Sequence, residues 1–190
     1  MKKIYLLLII LIFTTSNVMA KDYIIDKKGM HASIQFKISH LGYSWLWGRF
    51  NDFDGTLSYD REKPEAAKIE VRINTRSVDS NHAERDKHIR GKGLLEVEQY
   101  PQAKFISTSY TQNKDNQGIL KGNLTLHGVT RPITINVTYI GEGKDPWGGY
   151  RIGFEGTSRL SLADYNINKN LGPASKELEL IFAIEAIQTK

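Results

Sequence analysis

The chain contains no cysteine. A disulfide framework, thiolate chemistry and a cysteine-held metal are therefore excluded. Long apolar runs are nearly as scarce. One spans Ile4 to Phe13, and nothing after it is apolar enough to cross a bilayer as a helix. No stripe of basic residues exists either: 26 Lys and Arg are interspersed with 21 Asp and Glu, so the face that nucleic acid requires is missing. No serine stands in a G-x-S-x-G elbow and no HExxH pair is present, which removes two common hydrolase signatures.

The one apolar run has a clear context. Met1-Lys2-Lys3 is basic, Ile4 to Phe13 is apolar, and Val18-Met19-Ala20 supplies small residues before Lys21. Residues 1–20 thus read as a cleavable secretory signal peptide, too short for a comfortable membrane span. Without a cysteine at the junction, a lipoprotein anchor is excluded. Cleavage leaves residues 21–190, one domain of a size that supports an ordinary hydrophobic core. Loss of Lys2 and Lys3 lowers the formal charge from +5 to +3.

The remainder alternates apolar and polar residues with the period of β-strands. Ala32, Ile34, Phe36 and Ile38 share one parity, as do Ala67, Ile69, Val71 and Ile73. Ile133, Ile135, Val137 and Tyr139 repeat the pattern, and Leu178, Leu180, Phe182 and Ile184 close it. Tyr43 to Phe50 is the most aromatic stretch. Phe50 and Phe53 differ in parity, so a bulge at Asn51-Asp52 is expected if both face inward. Gly156 and Ser158 interrupt the apolar face of a late strand. About eight or nine strands emerge, at the spacing of an antiparallel barrel. Outward positions carry Lys, Glu, Gln, Arg and Asn, which disfavours an outer-membrane barrel. Alternation alone leaves open whether the interior is solid or hollow enough for one ligand.

One segment breaks the pattern. Asn81 is placed to cap a short polar helix over His82 to Arg90, with Glu84 reaching back and Gly91 as the stop. So short a helix is marginal alone and must dock, largely through polar groups. With Gly93 to Val97 it reads as a closure (82–97) over one end of the barrel. The pairs His82/Asp86 and Glu84/His88 each share a helix face. Two ligands on a face are too few for zinc, so i,i+4 pairing, Asp86 with Arg90 included, is the expectation and no metal is assigned.

Several motifs taken together resemble the YceI-like family. They include Phe36-Lys37-Ile38-Ser39-His40-Leu41-Gly42, Gly48-Arg49-Phe50 with Phe53-Asp54-Gly55, and Ile73 to Asp79. Glu84 to Ile89, Tyr100-Pro101 with Phe105 to Thr108, Gly122 to Thr130 and Trp147 to Phe154 complete the set. Each is weak singly, but their order spans the whole chain after the signal peptide. Gly93-Leu94-Leu95 and Leu162-Ala163 depart from the family's usual Asp-Phe and Arg. The resemblance implies a periplasmic, all-β, lipocalin-like antiparallel barrel that binds a polyisoprenoid, and no catalytic residues. Its ligand would be a polyprenyl phosphate or quinone, with no cofactor beyond it. A homodimer and transient membrane contact are the further partners such a carrier admits.

The residues expected to line the tunnel are Ile34, Phe36, Ile38, Trp45, Trp47, Phe50, Ile73, Leu124, Ile135, Phe154 and Phe182. Arg85 or His88 would meet a polar head group at the mouth, the Arg fork suiting a pyrophosphate. Burial is worth about 0.8 kcal/mol per CH₂, so about twenty carbons gain roughly 16 kcal/mol before ordering costs. Two competing classes remain: an enzyme acting on a bound lipid, which needs polar groups deep in the cavity, and a solid structural barrel, which has no cavity.

Overall fold

In the computed structural model, residues 20–189 are described, and they turn the alternating pattern into eleven antiparallel strands. The expected signal peptide, Ala20 apart, lies outside the described residues. β1 (Lys21–Ile25) starts where cleavage is expected. β2 (Ser33–His40), β3 (Ser44–Phe50), β4 (Phe53–Tyr59), β5 (Lys68–Asn74) and β6 (Val78–Asp79) follow. After helix α1 (Ala83–Arg90) come β7 (Gln102–Gln112), β8 (Gln117–Leu126), β9 (Val129–Lys144), β10 (Tyr150–Ser161) and β11 (Glu177–Gln188).

Eleven segments fill eight positions. β11 pairs with β2 through Leu178–Ala183 and with β1 further along its length. β3 pairs with β2 while β4 pairs with β1, and β6 extends β5 in the same way by pairing with β3. Thus β1+β2, β3+β4 and β5+β6 each act as one bent strand, and β7 to β11 supply the other five. Neighbouring pairings run through β5–β7, β7–β8, β8–β9, β9–β10 and β10–β11 to close an eight-stranded antiparallel barrel.

The parity conflict at Phe50 and Phe53 is resolved by a break instead of a bulge. Asn51 and Asp52 end one strand and begin the next, with Asn51 N–H donating to Ser77 O (3.1 Å) and Asn74 N–H to Asp52 O (2.9 Å). Both rings can then turn inward. The core is continuous from Tyr23, Leu57 and Tyr59 to Leu124, Ile135, Leu160 and Tyr165. No described helix is long and apolar enough to cross a membrane.

Candidate functional site

A cavity of about 470 Å³ runs down the barrel axis and is lined almost wholly by apolar side chains. Ile34, Phe36, Ile38, Phe50, Ile73, Leu124, Ile135, Phe154 and Phe182 all line it, joined by Leu46, Leu94, Leu95 and Leu171. Trp45 and Trp47 do not. They are 61% and 50% exposed on the outer face of β3, flanking the Lys37 ammonium, which lies 5.3 and 5.6 Å from their ring centres. The register explains the correction. Ile34, Phe36 and Ile38 of β2 stand opposite Phe50, Gly48 and Leu46, so the even-numbered residues of β3 face the cavity.

One end of the cavity is shut by aromatic rings. Tyr59 stacks on Tyr139 (6.0 Å between centres) and meets Phe154 edge-on at 5.3 Å. The Tyr59 and Tyr110 hydroxyls both donate to Gln112 Oε1, at 2.8 and 3.0 Å. Burial pushes both phenols, already neutral at pH 7, up to about 12.

The other end is the mouth. It is bounded by the β2–β3 turn (His40), by α1 (Arg85, His88, Ile89), by Leu94 and Leu95, and by Ile167, Lys169 and Leu171. Helix α1 docks through hydrogen bonds, as its weak apolar content requires. Asp86 is buried, and its Oδ1 accepts from Ser80 N–H (2.8 Å) and Ser80 Oγ (2.5 Å). Arg85 Nε donates to Ser80 Oγ at 2.8 Å, Arg85 Nη2 donates to Ser80 O, and Arg90 Nη1 donates to Val78 O at 3.2 Å. The cap differs from expectation. His82 is the N-cap, its Nδ1 accepting from Arg85 N–H (3.2 Å), while Asn81 sits before it at φ 61°. Gly91 ends the helix in extended backbone instead of the left-handed region. Of the expected helix pairs, Asp86 instead turns to Ser80 and Arg90 to Val78.

Arg85 and His88 therefore stand at the mouth of the cavity, with His40 and Lys169 beside them on the rim. Arg85 is half-buried and held by Ser80, whereas His88 is exposed. Ser58 and Glu155 also border the cavity, but each lies between inward-facing neighbours on its strand, so its side chain projects outward.

A second polar cluster sits at the far end, and sequence reasoning missed it because its members are far apart in the chain, Asp26 and Arg151 by 125 positions. Asp26, His31 and Glu185 approach closely enough to hold an ion. Arg151 takes that place instead. Its Nη1 donates to Asp26 Oδ2 (2.6 Å) and Glu185 Oε1 (2.5 Å), and its Nε donates to Asp145 Oδ2 (2.6 Å). Burial would raise the Asp26 pKa, but hydrogen bonds from Arg151, the Gly29 N–H and His31 outweigh it and hold the carboxyl below its ordinary range. The Arg151 hydrogen bond lowers Asp145 likewise.

Fold and site together define a small antiparallel barrel built around an apolar cavity with a polar rim. The YceI-like domain model matches residues 23–186, and the chain belongs to that family. It is 55% identical over 180 residues to the UPF0312 protein of Yersinia pestis (strain Pestoides F), covering 95% of this chain and 93% of that one. A Campylobacter jejuni YCEI protein of known structure has a TM-score of 0.72 and 26% identity, over 81% of this chain and 91% of that one. A polyisoprenoid binding domain from Saccharophagus degradans shares the fold, with a TM-score of 0.64 and 18% identity over 90% and 99% of the two chains.

Proposed function

We propose that this protein is exported to the periplasm and holds a long-chain polyisoprenoid, of polyprenyl phosphate or quinone type, for carriage or sequestration. One observation carries the reading: the cavity is apolar along its length, and its charged and imidazole side chains, Arg85, His88, His40 and Lys169, are confined to the mouth. That is the distribution a lipid needs, with the chain buried and the head at the rim. The Saccharophagus domain, described as polyisoprenoid binding, adds support at the level of fold. The basic n-region and apolar run of residues 1–20 support export.

An enzyme acting on the lipid would need a nucleophile or general base facing the blind end of the cavity. The polar groups that line it there are the Tyr59 and Tyr110 hydroxyls, both donating to Gln112 Oε1. A solid structural barrel is disfavoured by the cavity itself.

The test is native mass spectrometry of protein purified from its own cells, followed by solvent extraction. One unaltered isoprenoid per chain supports the carrier and identifies the lipid. Protein that stays empty when offered polyprenyl phosphate or quinone in detergent refutes it, and a chemically changed lipid favours the enzyme.

A further inference from the structure

The β2–β3 hairpin gathers four of the exposed large apolar side chains on its outer face, whereas the others, such as Ile24, Ile106 and Ile140, stand on different strands. Leu41, Tyr43, Trp45 and Trp47 are 53%, 87%, 61% and 50% exposed. They form one patch, and it begins at the cavity mouth: His40 lines the mouth, and a Cβ at Gly172 would stand 3.1 Å from Leu41 Cδ2 beside the rim residue Leu171.

The turn that presents the patch is strained. Tyr43 N–H donates to His40 O at 3.0 Å, and the two residues between have φ of 55° (Leu41) and 84° (Gly42). Positive φ at both central positions marks a type I′ turn, where Asn, Asp or Gly is favoured first. Leucine there is a costly choice for folding, and it displays an aliphatic side chain at the tip.

Resting on the lipid-carrier reading, we infer that this hairpin is the surface by which the barrel docks, mouth first, on a phospholipid bilayer. The chemistry fits the bilayer interface. Trp and Tyr have amphipathic rings that settle at head-group depth. Lys37 between the two indoles is paired with Glu179 Oε2 at 3.2 Å, so its ammonium places no unpaired charge under the rings. Cationic groups ring the same end: Arg85 and Lys169 border the mouth, with Lys87 and Lys92 exposed beside it. These complement anionic lipid. A second copy of the chain is the poorer occupant. A standard protein interface takes about 20–30 residues a side, and this patch is four side chains on one hairpin. Docking here would let an isoprenoid pass between bilayer and cavity without its chain entering water.

The tryptophans report the event. The chain has three, and Trp147, 77% exposed, lies in the β9–β10 loop at the far end. In a Trp147→Phe background, emission from Trp45 and Trp47 should shift to shorter wavelength when vesicles of phosphatidylethanolamine and phosphatidylglycerol are added. Brominated acyl chains in those vesicles should quench it. The double substitution Trp45→Ala, Trp47→Ala touches only exposed side chains, and should weaken vesicle co-sedimentation about tenfold or more. No shift with vesicles in excess, or equal binding by the double variant, overturns the inference. So does a concentration-dependent dimer in sedimentation velocity that the double variant abolishes, since the patch would then be a self-interface. The vesicles contain no isoprenoid, so the result is independent of whether the cavity takes one.

Discussion

Gly48 stands opposite Phe36 in the β2–β3 ladder, and the Phe36 ring occupies the space that a side chain at Gly48 would need. The missing side chain on one strand makes room for a large ring on its neighbour, and together they shape the cavity wall. Gly48→Ala should therefore destabilise the barrel by about 1–3 kcal/mol through overpacking. Chemical denaturation measures it. Adding Phe36→Leu should recover much of the loss, and strict additivity in that cycle would show that the two do not interact.

Ile135 is buried in the wall midway along the cavity. Ile135→Trp places a large side chain into the void, where growth inward meets open space. The expected outcome is a folded barrel with unchanged circular dichroism and at least a tenfold drop in bound isoprenoid. Retention of lipid at full stoichiometry in mass spectrometry would move the binding site elsewhere.

The Asp86 carboxylate holds α1 to the barrel through two hydrogen bonds from Ser80. Asp86→Ala leaves the Ser80 N–H without that acceptor, at a cost of about 1–3 kcal/mol. Since α1 forms part of the mouth, the loss should appear first as faster hydrogen exchange across residues 83–90, with strands β8 to β10 still protected.

Asp26 and Asp145 both have pKa values depressed in the folded state. Their contribution is thus fully present above the unfolded carboxylate range, near pH 4, and is lost as pH falls through the lower folded values. Thermal stability should be level from pH 6 to about 5 and drop below about 4. Arg151→Met should shrink that acid-side drop and lower stability at neutral pH by about 1–3 kcal/mol, because the buried Asp26 carboxylate loses its main partner.

Most of this architecture is written locally. The inner faces of β2, β5, β9 and β11 follow from their alternation, and the polar docking of α1 follows from having only Ala83 and Ile89 as apolar residues. Trp45 and Trp47 show where local reading fails. Both faces of β3 carry large apolar residues, so composition alone cannot orient it, and the expectation that the bulkiest rings point inward is overturned by the register. Phe50 belongs to the opposite parity, and the ladder from Ile34 to Phe50 fixes that parity. The glycine at 48 was the available clue, since an inward Phe36 needs a gap across from it. The Asp26–Arg151 cluster had no local signature at all. Helix pairing failed for a simpler reason: Val78 of β6 and Ser80 just after it supply the partners that Asp86 and Arg90 take.

The ring of eight positions is not equally tight along its height. The β9–β10 ladder stops at Asn136 and Thr157, so Val129–Ile135 and Ser158–Ser161 run toward the mouth without a shared ladder, bridged by a hydrogen bond from Ser158 Oγ to Thr134 O. Across the barrel, β6 pairs only with β3, and α1 covers its other side. The rim is therefore held by fewer main-chain bonds than the wall below it, where β10 is paired with both β9 and β11. Widening it would cost side-chain contacts and a helix held by a few polar bonds, and would spare the backbone ladders. If the cavity takes a bulky, branched chain, this is where the wall would give.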